Sequence, residues 1–83
     1  MKILLSFLLF VSFLFASVDI NNAGEAELSS LNGVGAKKAS NIIAFRESNG
    51  CFNSIDDLVN VKGIGAKTLE KNREDIALGT CKN

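Results

Sequence analysis

The sequence predicts a small all-α domain in which two similar helix–turn–helix units follow an N-terminal signal peptide. Three observations support this. The 83 residues include no proline, the glycine pattern of residues 33–35 recurs at residues 63–65, and a short apolar run stands at the start of the chain. No segment alternates apolar and polar residues over the length that a half-buried strand requires. A chain of this size is expected to form one domain.

The first residues have the composition of a signal peptide. Lys2 is followed by an apolar run that ends near Ala16, which is shorter than the roughly 20 residues that a membrane span needs. A positive charge, a short apolar run and then small residues predict a signal peptide at residues 1–16 and a mature domain at residues 17–83. An uncleaved membrane anchor is the alternative. In either case the domain is expected outside the cytoplasm.

The rest of the chain matches itself at an offset of 30 residues. The stretch Gly-Val-Gly-Ala-Lys at residues 33–37 corresponds to Gly-Ile-Gly-Ala-Lys at residues 63–67, and leucines and valine precede both stretches at matching positions. A repeated unit of this length cannot bury its apolar face alone. Two units are therefore expected to pack face to face.

The first unit is predicted as two helices around the first glycine turn. Asn22 is expected to cap a short helix at residues 23–30. A longer helix is expected at residues 36–48, ended by Asn49 and Gly50, which favour turns. Its buried face is expected to contain Ala39, Ile42 and Ile43.

The second unit repeats this plan with shorter helices. Ser54 is expected to cap a helix at residues 55–59, and Asp57 follows at a spacing close to that of a capping box. The last helix is expected at residues 66–76. The tail at residues 78–83 is expected to be loose except where Cys81 holds it.

The two glycine turns are the candidate binding sites. Glycine adopts a positive φ at little cost, and the N–H groups at the start of the next helix lack intrahelical acceptors and carry partial positive charge. Such a turn favours an anion, most often a phosphate. The middle residue of each turn is expected to anchor it in the core. The candidate contacts are Gly33, Val34, Gly35, Lys37, Lys38, Lys62, Gly63, Ile64, Gly65, Lys67 and Lys71.

Two such turns, related by an approximate two-fold axis, would hold two phosphates, and duplex DNA offers phosphates on both strands. Contacts of this kind recognise the backbone and not the bases. A purely structural role for the repeated turns remains the alternative. The mature domain has eight basic and nine acidic residues, so DNA binding would depend on local geometry and not on a strongly basic surface.

The two cysteines, Cys51 and Cys81, are expected to form a disulfide outside the cytoplasm; two free thiols are the alternative. The chain has no histidine and no Cys-x-x-Cys pair, so we expect no metal site, cofactor or thiol catalysis. Serine and cysteine lack a base to activate them, which argues against an enzyme.

Residues 18–76 strongly resemble the helix-hairpin-helix family, and in particular the ComEA-type DNA receptors of natural transformation. The resemblance is carried by D-I-N-N-A, the L-x-G-h-G hairpin, I-I-A-F-R-E, N-G-x-F and S-h-x-D-L-x-x-V-K-G-I-G. Three departures stand out: Asn32 and Cys51 where the family often has proline, and Asn72 where an apolar residue is expected. Asn72 therefore predicts weaker helix packing, for which a Cys51–Cys81 link would compensate.

The resemblance implies sequence-independent binding of double-stranded DNA in the periplasm during DNA uptake. It implies contacts at both hairpins with Lys37 and Lys67, and hand-over of DNA to an inner-membrane channel. We expect a monomer or weak oligomer and no small-molecule substrate. The alternative is an exported module of the same fold that serves as a structural or protein-interaction piece without DNA binding.

Overall fold

The computed structural model of the protein describes residues 17–81, and the predicted signal peptide at residues 1–16 lies outside this range. The small helical domain expected from the sequence is confirmed. The elements are strand β1 (Val18–Asp19), helices α1 (Glu25–Ser29) and α2 (Ala36–Asn49), 3-10 helix η1 (Ile55–Asn60), helix α3 (Ala66–Asn72), 3-10 helix η2 (Arg73–Asp75) and strand β2 (Ile76–Ala77).

Two short strands depart from the all-α expectation. β1 and β2 are parallel, with Val18 opposite Ile76 and Asp19 opposite Ala77. Strands of two residues are too short to produce a recognisable alternation, so the sequence pattern could not reveal them. They join the two ends of the described chain.

The predicted end of the last helix was wrong. α3 stops at Asn72, η2 continues it for one tighter turn, and Ile76 enters β2 with an extended backbone. Ile76 is 7% exposed, so the tertiary burial of this side chain in the strand overrides the local helical pattern.

The predicted cap of the first helix was also wrong. Gly24, and not Asn22, is the N-cap of α1. The side-chain amide of Asn22 instead donates to Asp19 Oδ2 at 2.7 Å and to the carbonyl oxygen of Thr80 at 3.2 Å. Ser54 does cap η1, because its hydroxyl oxygen accepts from the N–H of Asp56 at 3.0 Å.

Within residues 17–81, the buried apolar side chains of both units form one cluster. Its buried members are Ile20, Ala23, Leu28, Leu31, Val34, Ala39, Ile42, Phe52, Leu58, Val61, Ile64, Leu69 and Ile76. Phe45 stacks on Phe52 with ring centroids 5.3 Å apart. The matching leucines and valines of the repeat therefore form one shared core.

The C-terminal tail is fixed more firmly than the sequence suggested. Cys51 and Cys81 form a disulfide. The side chain of Asn21 accepts from the N–H of Phe52 at 2.7 Å and donates to the carbonyl oxygens of Phe52 and Gly79 at 3.2 and 3.0 Å. The start of the domain, its central turn and its tail are therefore joined. Among residues 17–81, no helix has the length and apolar character required to cross a membrane.

Candidate nucleic-acid interface

The two glycine turns have the same backbone geometry, which assigns a separate role to each glycine. Gly33 and Gly63 have φ of 76° and 93°, in the region that disfavours side chains. Gly35 and Gly65 are extended, with φ of −86° and −104°, and form the N-caps of α2 and α3. Only the first glycine of each turn therefore uses the positive φ that glycine permits.

The middle residue of each turn points into the core, as expected. Val34 is 3% exposed and Ile64 is 5% exposed. Their N–H groups donate to the carbonyl oxygens of Leu31 and Val61, each at 3.0 Å. A buried side chain and a hydrogen bond thus anchor each turn to the core, and the glycines remain at the surface.

The starts of α2 and α3 are open. Gly35 and Gly65 are exposed and provide no side-chain acceptor for the N–H groups of the first helical turn. A Cβ atom built on either residue would have no described atom within 4 Å other than those of its neighbours along the chain. The fold itself therefore does not require the absence of a side chain here, and a ligand can approach the backbone closely.

The candidate lysines differ in their surroundings. Lys37 and Lys67 are exposed at the second position of α2 and α3, next to the open N–H groups, and Lys62 is exposed immediately before Gly63. Lys71 lies in the last turn of α3, one turn beyond Lys67 on the same face. Lys38 is half-buried and lies between the two turns.

Each turn contacts the second helix of the other unit at a matching position. A Cβ atom built on Gly63 would lie 3.4 Å from Cγ of Lys38, and one built on Gly33 would lie 3.9 Å from Cγ2 and Oγ1 of Thr68. Lys38 and Thr68 are 30 residues apart, as are the glycines that they contact. The structure therefore brings the two turns together.

Asparagine side chains add a second pair of contacts between the units. Asn41 Nδ2 donates to the carbonyl oxygen of Lys62 at 3.1 Å. Asn72 Nδ2 donates to the carbonyl oxygen of Asn32 at 2.8 Å, and Asn72 Oδ1 accepts from the N–H of Asn32 at 2.8 Å. Asn32 and Lys62 are equivalent positions of the repeat, directly before the first glycine of each turn. The backbone before each turn is thus bound by an asparagine of the other unit.

The interpretation of Asn72 as a packing weakness was wrong. Its side chain is 1% exposed and also donates to the carbonyl oxygen of Thr68 at 2.8 Å. A buried amide is costly only when its hydrogen bonds are unmade. Within residues 17–81, no buried side-chain nitrogen or oxygen lacks a hydrogen-bond partner.

One further cation near the second unit is bound to carboxylates. Arg73 pairs with Glu70 at 2.7 Å and with Asp56 at 2.8 Å. The hydrogen bond with Glu70, followed by that with Asp56, raises the pKa of Arg73, and the hydrogen bond with Arg73 lowers the pKa of Glu70. Arg73 is therefore less available to an anionic ligand than the exposed lysines.

Sequence reasoning missed Thr68 and Asn41 as residues that place the turns, and it misjudged Asn72. The polar side chain of Asn72 at an apolar position was the available signal. It indicates a buried hydrogen bond once the facing element is known, but the sequence does not show that this element is the backbone before the first turn.

Comparison with known proteins agrees with this geometry. The sequence profile described as the helix-hairpin-helix motif matches residues 15–77. ComE operon protein 1 of Bacillus subtilis is 48% identical over 63 residues, covering 76% of this chain and 31% of the relative. An uncharacterised Haemophilus influenzae protein is 48% identical over 60 residues, covering 71% and 54%.

A human protein, endonuclease/exonuclease/phosphatase family domain-containing protein 1, is 41% identical over 59 residues, covering 71% of this chain and 10% of its own length. The chain thus spans between a tenth and about half of the length of these relatives. The match to the Bacillus protein supports the resemblance to ComEA-type proteins. The chain belongs to the helix-hairpin-helix family.

Proposed function

We propose that this chain is a periplasmic protein that binds double-stranded DNA without sequence specificity and acts in DNA uptake during natural transformation. One observation carries the proposal: each of the two open glycine turns contacts the second helix of the other unit. The similarity to ComE operon protein 1 supports the biological process, and the helix-hairpin-helix motif supports DNA as the ligand.

The chemistry of each turn suits a phosphate. Open N–H groups at a helix start attract anions, and the bare surfaces of Gly35 and Gly65 let a phosphate oxygen reach them. Lys37 and Lys67 add an exposed positive charge beside each turn. These contacts involve backbone N–H groups and ammonium groups only, so they would hold the DNA backbone without reading the bases.

The matching contacts of Lys38 with Gly63 and of Thr68 with Gly33 support an approximate two-fold relation between the units. A two-fold arrangement suits a duplex, because the phosphates of its two strands are themselves related by two-fold axes. We propose that each turn binds one phosphate group on a different strand.

The proposed location follows from the signal peptide expected at residues 1–16 and is compatible with the Cys51–Cys81 disulfide, since disulfides persist in oxidising compartments. We propose that the domain holds DNA that has entered the periplasm and passes it to an inner-membrane channel. It would do so as a monomer or weak oligomer, without a catalytic role. Loss of DNA uptake in a deletion strain would support this step, and unchanged uptake would contradict it.

Binding itself is tested by fluorescence anisotropy with the 17–83 fragment and two duplexes of unrelated sequence. We expect equal affinities and a logarithmic salt slope of about −2 to −4, which corresponds to roughly two to four neutralised phosphates. Lys67→Glu should weaken binding strongly while leaving the circular dichroism spectrum unchanged. Absence of binding at low salt would refute the proposal.

A protein-interaction module is the second candidate. The near-equal numbers of basic and acidic residues favour it. It predicts no DNA binding at low salt and capture of a periplasmic protein partner. Substitutions on the exposed surface away from the turns, with Lys37 and Lys67 unchanged, should abolish this capture.

A further inference from the structure

Lys38 differs from the other candidate lysines because it contacts both glycine turns. Its aliphatic carbons cover Gly63, with Cγ, Cε and Cδ at 3.4, 3.6 and 3.8 Å from the position of a Cβ. Its Nζ donates to the carbonyl oxygen of Gly33 at 3.3 Å. One side chain thus extends from the turn of its own unit to the turn of the other.

The repeat provides an internal comparison. Thr68 occupies the position equivalent to Lys38 and covers Gly33, but it has no ammonium group to reach a carbonyl oxygen of the second turn. The contact that joins both turns through one side chain is therefore supplied by Lys38. Lys37, its neighbour, is exposed and lies at the open start of α2.

We propose that Lys38 is a positioning residue that fixes the spacing between the two turns and does not itself neutralise a phosphate. This inference rests on the proposed DNA-binding function and revises the role expected for Lys38 from the sequence. The ammonium group is directed to a backbone carbonyl oxygen, and its stem fills the surface above Gly63. Binding of two phosphates at once depends on the distance between their sites, so the loss of this bridge weakens binding through geometry.

Three variants separate positioning from charge. Lys38→Met retains a long stem over Gly63 and removes the hydrogen bond to Gly33. Lys38→Ala removes both contacts. Lys37→Ala is the matched control, because it removes an adjacent positive charge that does not bridge the turns.

The first readout is duplex affinity as a function of salt. We expect Lys38→Ala to weaken binding about two- to tenfold, the size expected for one hydrogen bond, with an unchanged salt slope, and Lys38→Met to have a smaller effect. Lys37→Ala should reduce the magnitude of the slope by about 0.9, as expected for one phosphate contact. A similar slope change for both Lys38 variants, or wild-type affinity for Lys38→Ala, would overturn the proposal.

The second readout needs no DNA. Amide chemical shifts of the free domain should change at both turns, residues 33–35 and 63–65, in Lys38→Ala, but only near the start of α2 in Lys37→Ala. Shifts confined to the first turn in Lys38→Ala would overturn the bridging role. If the wild-type domain bound no DNA, the proposed function would fail, and these shifts would still decide whether Lys38 couples the turns.

Discussion

The side-chain amide of Asn72 pairs with the backbone of Asn32 through two hydrogen bonds of 2.8 Å, one to its carbonyl oxygen and one from its N–H group. The pair connects the end of α3 to the residue that precedes the first glycine turn. It satisfies backbone groups that are partly removed from water, and it does so across 40 residues of chain.

Asn72→Ala is therefore expected to destabilise the domain. Removing the amide leaves a donor and an acceptor of Asn32 without their partners, and such a loss costs about 1–3 kcal/mol. Asn72→Leu should also destabilise, although leucine matches the apolar character expected at this position. Urea unfolding of the purified domain measures both.

Asn41→Ala is the matched control, because Asn41 makes one exposed hydrogen bond to the carbonyl oxygen of Lys62. Its loss should cost about 0.5–1 kcal/mol, within the range for a single solvent-accessible hydrogen bond. Equal unfolding midpoints for Asn72→Leu and the wild type would show that the buried hydrogen bonds add nothing beyond an apolar side chain.

The disulfide predicts a strong dependence of stability on reductant. Cys51 and Cys81 are 30 residues apart, and the chain-entropy model assigns a loop of this size a stabilisation of about 3–4 kcal/mol. Reduction should lower the thermal midpoint by many degrees. A double Cys51→Ser and Cys81→Ser variant should have the thermal midpoint of the reduced protein, and this midpoint should not change with reductant. An unchanged midpoint of the wild type after complete reduction would contradict the prediction.

The carboxylate of Asp19 predicts a loss of stability in acid. Partial desolvation would raise its pKa, but hydrogen bonds from the side chain of Asn22 and from the N–H groups of Asn21, Gly79 and Asn22 outweigh this and lower the pKa below its ordinary value of 3.8. A carboxyl group whose pKa is lower in the folded state contributes stability that is complete above the unfolded pKa. This contribution should therefore decrease as the pH falls through about 4 and below.

Asp19→Asn tests this assignment. The carboxylate lies against Gly79, where even a Cβ atom would collide with it, and its Oδ1 accepts from the N–H of Gly79 at 2.9 Å. The variant should be less stable at neutral pH and should lose less stability between pH 6 and pH 3 than the wild type. Parallel pH profiles of the two proteins would exclude Asp19 as a source of the acid sensitivity.

The repeat explains which parts of the fold could be predicted. The glycine turns and the buried Val34 and Ile64 follow from local rules, since positive φ and helix starts leave a signature within a few residues. β2 and the end of α3 could not be predicted, because Ile76 is placed by burial against distant residues. The role of Asn72 likewise depends on the facing backbone of Asn32, 40 residues away.

In the candidate site, too, some features follow from the local sequence and others depend on tertiary packing. The sequence predicts which residues surround each turn, because the pattern of residues 33–37 repeats. It does not show that Lys38 lies over Gly63, since this contact depends on how the two units pack. The lysines therefore look alike in the sequence but differ in the structure by what they contact.

The two glycines of each turn predict opposite effects of the same substitution. Gly33 and Gly63 have positive φ, so serine at either position should cost about 1–2 kcal/mol of stability. Gly35 and Gly65 are extended N-caps, where serine is a preferred residue, so substitution should leave stability equal or higher by about a few tenths of a kcal/mol.

Serine at Gly35 and Gly65 should weaken DNA binding, although it should not reduce stability. In Gly35→Ser with Gly65→Ser, each hydroxyl oxygen would accept from the N–H groups at the start of α2 or α3 and occupy the space left by the missing side chain. These N–H groups would then be closed to a phosphate, and duplex affinity should fall by about tenfold or more, as expected when hydrogen bonds to a charged group are lost. Urea unfolding and fluorescence anisotropy on the same samples measure the two effects separately. Wild-type duplex affinity in this stable double variant would place the DNA contacts away from the helix starts, because the bare surfaces of Gly35 and Gly65 would then have no part in binding.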